Sequence, residues 1–161
     1  MEDKIVVLLL GSNMGDSLAC LKTAIHHIEN RLSPIIMASS LFKTAAWGKV
    51  NQADFYNQVV AIKSSLTPEE ILTITLDIEM QMGRERIEKW AERVIDIDIL
   101  FYGNDIIDNP NLKVPHPYLH VRRFTLIPLQ EILPQFVHPV FNKTIDTLLD
   151  NCSDIGKVEK L

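Results

Sequence analysis

The 161-residue sequence has few cysteines, no excess of basic charge and no long apolar run. Cys20 and Cys152 stand far apart, and neither has a second cysteine nearby to make a metal pair. That excludes a disulfide framework and a cysteine-built zinc site, and both read as reduced thiols of a cytoplasmic protein. Sixteen Lys and Arg against twenty-one Asp and Glu leave a net charge of −5, without the basic footprint that non-specific nucleic-acid binding needs. The apolar run at residues 5–10 is too short for a membrane span or a secretory signal, and Glu2 and Asp3 oppose a signal peptide. The expectation is a cytoplasmic protein with no nucleic-acid and no membrane partner. Common nucleotide signatures are missing as well. Gly11-Ser12-Asn13-Met14-Gly15-Asp16 lacks the Gly-Lys-Ser/Thr ending of a phosphate loop, and G-x-G-x-x-G, H-R-D and D-F-G are absent. An ATP site here must be built differently.

What is present is globular: 47% hydrophobic and 23% charged residues. Residues 5–10 are apolar and largely β-branched or leucine, and read as a buried strand ending at Gly11-Ser12-Asn13. Leu18, Leu21, Ile25, Ile28 and Leu32 follow at spacings of three and four, one stripe of a helix. Residues 35–43 and 55–64 read as strands, with a loop between them. Thr67-Pro68-Glu69-Glu70 is a helix start: Thr67 caps, Pro68 suits the first turn and Glu70 completes a capping box. The stripe Ile71, Thr75, Ile78, Met82 runs to Gly83. A charged segment, 84–93, then leads into a strand at 94–102. The order βαββαβ predicts an α+β fold, a ferredoxin-like sandwich with additional C-terminal helices and turns. The proline-rich tail from Pro115 reads as wrapping on the same core. No linker, low-complexity run or repeat interrupts the chain, so one domain over 1–161 is expected.

The strand Val94-Ile95-Asp96-Ile97-Asp98-Ile99-Leu100 is the most informative stretch. Period-two geometry puts the isoleucines on one face and Asp96 and Asp98 on the other, their Cα atoms roughly 7 Å apart. Two such carboxylates suit magnesium, which prefers carboxylate and phosphate oxygens. A polar strand face in water stays open as the plainer reading, although Asp is depleted in strands and like charges on one face repel. Five of the six arginines fall between residues 84 and 123: Arg84, Arg86, Arg93, Arg122 and Arg123. Guanidinium groups grip phosphates bidentately, and paired carboxylates flanked by arginines are what phosphoryl transfer needs. Trp47 and Trp90 lie in loops, where they either anchor to the body or cover a planar substrate. Phe55, Asn57 and Phe124 add aromatic faces and an amide. His116 and His120 have the spacing of helical zinc ligands, but Pro117 replaces the usual Glu and no cysteine is near, so zinc is discounted.

Taken together, these stretches resemble the 6-hydroxymethyl-7,8-dihydropterin pyrophosphokinases of the folate pathway. The match runs from Leu8-Leu9-Leu10-Gly11-Ser12-Asn13 to Leu126-Ile127-Pro128-Leu129. Its most specific parts are Gly83-Arg84-Glu85-Arg86 with Trp90, Arg93-Val94-Ile95-Asp96-Ile97-Asp98, Val114-Pro115-His116-Pro117, and Arg122-Arg123-Phe124. The resemblance implies a ferredoxin-like fold and transfer of the β,γ-pyrophosphoryl group of ATP to the pterin hydroxymethyl oxygen, giving AMP. It implies that Asp96 and Asp98 bind two Mg²⁺ ions and that Arg84 and Arg93 grip the transferring phosphates. Arg86 and Trp90 belong to a lid on this reading. His116 and Arg122 contact nucleotide phosphates, with Glu79 and Lys113 also at nucleotide positions. The pterin stacks between Phe55 and Phe124, Asn57 bonds its edge, and the backbone of Thr44, Ala45 and Trp47 reads the rest. A monomer is expected. Three departures stand out: Ala91-Glu92 where the family usually has Gly-Pro, Ala45 and Ala46 where it often has Pro, and Phe55 where relatives often carry Tyr.

Two other classes share some of these features. RNA-recognition modules use the same element order and stack bases on sheet aromatics, but the corresponding strand here carries two acids that repel a phosphodiester. A metal-dependent nucleotidyl transferase or nuclease would use the Asp pair.

Overall fold

The computed structural model describes residues 2–45, 54–83 and 94–161. The first strand, β1 (Lys4–Ser12), lies at the heart of the sheet because Val6, Val7, Leu8 and Leu10 are fully buried, with both faces of the strand covered. Gly15 takes a left-handed φ of 60° after it, a conformation that suits glycine. The chain then enters α1 (Ser17–Arg31), whose first turn is capped by the Asp16 carboxylate accepting from the Ala19 N–H at 3.1 Å. The predicted strand at 35–43 is two short strands, β2 (Ile35–Ala38) and β3 (Phe42–Thr44), both pairing with β4 (Phe55–Ser64). Ser39 interrupts them. Its N–H donates to the Val59 carbonyl, and its Oγ, in place of a backbone carbonyl, accepts from the Val59 N–H. The register advances one residue more on this side than on β4, which is a bulge.

The capping box forms as expected at α2 (Pro68–Gly83): Glu70 N–H donates to Thr67 Oγ1 and Thr67 N–H donates to the Glu70 carboxylate. Strand β5 (Asp96–Tyr102) then pairs antiparallel with β1. With the C-terminal strand β8 (Val158–Lys160) included, the principal sheet runs β5-β1-β4-β3-β8, with β2 also on β4 and every pairing antiparallel. With β4 inserted between β1 and β2–β3, this is the split βαβ arrangement of the ferredoxin-like α+β fold.

Helices α1 and α2 cover one face, packing Leu21, Ala24, Ile28, Ile71 and Ile78 on Val6, Leu8, Leu10, Val60 and Ile62. The tail mostly covers the opposite face and gives it a second core. After the hairpin β6 (Ile107–Asp108) and β7 (Lys113–Val114) come a 3-10 turn (Leu119–Val121), α3 (Arg123–Ile132), α4 (Ile145–Asp150) and β8 (Val158–Lys160). Leu119, Leu126, Leu129, Ile145 and Leu148 pack there against Val7, Leu9, Val59 and Ala61. At about 2 kcal/mol per buried large aliphatic side chain, each layer contributes substantially to folding. A bulge in β5 links the two cores. Val7 pairs with Phe101 and Leu8 with Ile99, so Leu100 is the extra residue. Ile97, Ile99 and Tyr102 therefore join the first core, while Leu100 and Phe101 both join the second.

Candidate active site

Antiparallel pairing brings four strand ends to one end of the sheet: the C-terminal ends of β1 and β3 and the N-terminal ends of β4 and β5. On the face shared with α3, a cleft of about 530 Å³ opens there, within the size range of small-molecule sites. Its floor is a row of paired positions in which Asp96 faces Gly11 and Gly11 faces Asn57. Asp98 stands one step along, opposite Leu9. Both carboxylates line the cleft and are half-buried, so the period-two reading of this stretch holds up to the bulge. A side chain at Gly11 would be in the way: an added Cβ would lie 2.8 Å from Asn57 Oδ1. No side chain therefore separates the buried amide of Asn57 from Asp96 across the row.

The cleft walls come from two directions. Thr44, Ala45 and Phe55 stand on the β3–β4 side, and Val121, Arg122, Phe124 and Asp154 on the side of α3 and the tail. Thr44 is 6% exposed, and its buried Oγ1 has no hydrogen-bond partner among the described residues. The Arg122 guanidinium lies over two rings, 5.2 Å from the centroid of Tyr118 and 5.7 Å from that of Phe124. His116 is close enough to feel both Asp98 and Arg122. Burial lowers its pKa, Asp98 works against that, and Arg122 adds to it, so His116 is neutral at pH 7. Its Nδ1 accepts from the Tyr118 N–H at 3.2 Å, which puts the proton of the neutral ring on Nε2 and leaves a donor there.

Glu79 reaches β5 from α2. Its carboxylate accepts the Ile97 N–H at 2.6 Å, between the two aspartates. Lys113 sits apart from the cleft in the β6–β7 hairpin and pairs with Asp108 at 2.5 Å. Arg84, Arg86, Trp90, Arg93 and Trp47 lie outside the described residues. Among the described residues, no group of three or more His, Cys, Asp or Glu converges as a metal site. Two carboxylates are a donor set that suits a magnesium ion that keeps its waters and takes phosphate oxygens from a substrate. Eight predicted site residues thus line one cleft: Thr44, Ala45, Phe55, Asn57, Asp96, Asp98, Arg122 and Phe124. Leu9, Gly11, Val121 and Asp154 also line it without having been singled out for the site. Gly11 was legible as the glycine closing the first strand, whereas Asp154 carries no local pattern that points to it.

A family model described as 7,8-dihydro-6-hydroxymethylpterin-pyrophosphokinase matches residues 7–134. The chain belongs to this family. It is 42% identical over 140 residues to the 2-amino-4-hydroxy-6-hydroxymethyldihydropteridine pyrophosphokinase of Aquifex aeolicus, covering 87% of each chain. To the protein of the same name from Synechocystis sp. it is 38% identical, over 92% of this chain and 77% of that one. In three dimensions it is similar to a triple mutant of Plasmodium falciparum HPPK-DHPS, with a TM-score of 0.79 and 23% identity over 93% of this chain. The chain spans 44% of that longer protein, and the likeness shows the fold. In this pyrophosphokinase family member, segments that carry the sequence resemblance contribute Gly11, Asp96, Asp98, Arg122 and Phe124 to the cleft.

Proposed function

We propose that the cleft between Phe55 and Phe124 is where this chain carries out the reaction of its family. The chain is an ATP-dependent pyrophosphokinase of folate biosynthesis. It transfers pyrophosphate from ATP to the hydroxymethyl group of 6-hydroxymethyl-7,8-dihydropterin and leaves AMP. The observation that carries the assignment to this cleft is a juxtaposition: paired carboxylates, a buried amide and two aromatic side chains line one cavity.

The division of labour follows from chemistry. Phe55 and Phe124 stack on the flat pterin, and the Asn57 amide, buried beside them, exchanges hydrogen bonds with its polar edge. The backbone at Thr44, Ala45 and Trp47 serves the remaining polar atoms. Asp96 and Asp98 hold two Mg²⁺ ions. Bound there, magnesium supplies charge neutralisation on the polyphosphate oxygens. His116, as an Nε2–H donor, and Arg122, as a fixed cation, take nucleotide phosphate oxygens, with Glu79, Arg86, Trp90 and Lys113 at the nucleotide end. Arg84 and Arg93 neutralise the moving diphosphate. The hydroxymethyl oxygen bonds to the β-phosphorus as the bond to the α,β-bridging oxygen breaks, and the hydroxyl proton leaves to solvent. A loose transition state asks little of the nucleophile, so no strong general base beside the pterin is required.

Among the described residues no helix is long and apolar enough to cross a membrane. We place the enzyme in the cytoplasm, acting as a monomer. Incubation with Mg-ATP and 6-hydroxymethyl-7,8-dihydropterin is expected to give AMP and the pterin diphosphate in equal amounts. ADP as the nucleotide product would overturn the mechanism.

A further inference from the structure

The family match ends at residue 134, yet one wall of the cleft is completed by Asp154, twenty residues further on. Helix α3 begins at Arg123 and brings Phe124 into the cleft from its first turn, but its own N-cap, Arg122, makes no side-chain capping bond. The cap comes from the tail. Asp154 Oδ2 accepts the Arg123 N–H at 3.0 Å, and Oδ1 accepts the Gly156 N–H at 2.8 Å. One carboxylate thus ties the start of α3 to the turn that leads into β8. A few residues later β8 pairs with β3, and Val158 faces Thr44 on the other wall of the cleft. A third tie joins the same parts: Glu131 of α3 accepts from the Ser40 N–H and pairs with Lys160 of β8 at 3.2 Å.

We propose that Asp154 is a positioning residue for pterin binding, and that residues 154–160 form a clasp setting the distance between Phe124 and the β3–β4 wall. A helix N-terminus without its carboxylate loses a charge-assisted bond and a favourable dipole interaction, and here the first turn carries the stacking ring. A slot that must hold a planar ring on two faces loses affinity when either wall shifts, whereas the carboxylates of Asp96 and Asp98 are fixed independently by β5. The inference rests on the placement of the pterin between Phe55 and Phe124.

The test is steady-state kinetics on the full-length chain for Asp154→Ala and Asp154→Asn, alongside Phe124→Ala and Asn57→Ala. Asp154→Ala is expected to raise the KM for the pterin about tenfold, with a smaller rise in the KM for ATP because Arg122 is the N-cap of the same helix, and kcat altered less than the pterin KM. Asp154→Asn, which keeps one acceptor, is expected to raise it about threefold. A purely structural role would lower the melting temperature of Asp154→Ala without moving the pterin KM, and that outcome overturns the proposal. Equal damage from Asn and Ala would also overturn it, because the carboxylate would then be a direct ligand. If Asp154→Ala does not fold, Asp154→Asn decides: a pterin KM raised about threefold supports the clasp and a wild-type value refutes it. Unchanged pterin KM in Phe124→Ala and Asn57→Ala would instead refute the placement of the pterin, whatever Asp154 does.

Discussion

The carboxylate of Glu79 accepts the backbone N–H of Ile97 at 2.6 Å, and Ile97 sits between the two aspartates of the cleft. Among the described residues strand β5 is an edge of the sheet, with β1 as its one neighbour there. An edge strand has backbone groups without a ladder partner, and α2 meets one of them with a charged acceptor. Asp96 and Asp98 are thereby held from behind. Glu79→Ala is expected to cost about 1–3 kcal/mol in denaturant unfolding, by stranding the Ile97 N–H, and to lower kcat. Glu79→Gln, which keeps an acceptor, should recover most of the stability. Wild-type stability in Glu79→Ala would show that the bond does not support the strand.

Replacing Asp96 or Asp98 by Ala should lower turnover by about a thousandfold while moving the melting temperature by no more than about 3 °C. Loss of one of two like charges on a strand face offsets part of any packing loss. Activity with Mg-ATP and thermal melts read the two quantities separately. Full activity in both variants would remove the carboxylates from the site.

Gly11→Ala places a methyl carbon 2.8 Å from Asn57 Oδ1, closer than the two atoms can sit. Asn57 is 4% exposed and has little room to swing away. The expected result is a stability loss of about 1–3 kcal/mol and a higher KM for the pterin with the KM for ATP unaffected. Equal changes in both KM values would show that Gly11 acts on the sheet as a whole.

His138 sets an acid limit on stability. Burial, with a smaller contribution from the charge of His120, pushes its pKa down to about 4 from the usual 6.5. Its Nδ1 accepts the Val140 and Phe141 N–H groups, which also requires that nitrogen unprotonated. Near pH 7 the residue is neutral in the folded and unfolded chains. Between pH 6.5 and pH 4 the unfolded chain takes up a proton that the folded chain refuses, so stability falls as the pH falls, by up to about 3 kcal/mol. His138→Asn keeps an acceptor without titrating and should flatten unfolding free energy against pH across that window. An unchanged slope would assign the acid sensitivity to other groups.

Much of this molecule was written locally. The capping box at Thr67 and Glu70, the strand at 55–64 and the helical stripe of α2 depend on neighbours a few residues apart, and they formed where the pattern put them, whereas in α1 Leu21 and Ile28 are buried as the stripe predicts but Leu18 is 43% exposed and Ala24 is buried. The alternation around Asp96 and Asp98 was equally legible, because a strand has one period and the isoleucines had to face the core. Short stretches spread along the chain also sufficed for the family resemblance, since each motif keeps its order and spacing. Tertiary structure decided the rest. The strand at 35–43 broke at Ser39 because its hydroxyl found the Val59 N–H, a partner twenty residues away. Phe101 left the face that alternation assigned it because a bulge against β1 turned it to join Leu100 toward the C-terminal helices. Gly11 mattered for the Asn57 side chain that leans over it, and Asp154 for a helix that starts thirty-one residues before it. Periodicity and capping act within a turn or two of chain, whereas register, bulges and cleft walls are set by contacts between segments that meet only once the sheet has formed.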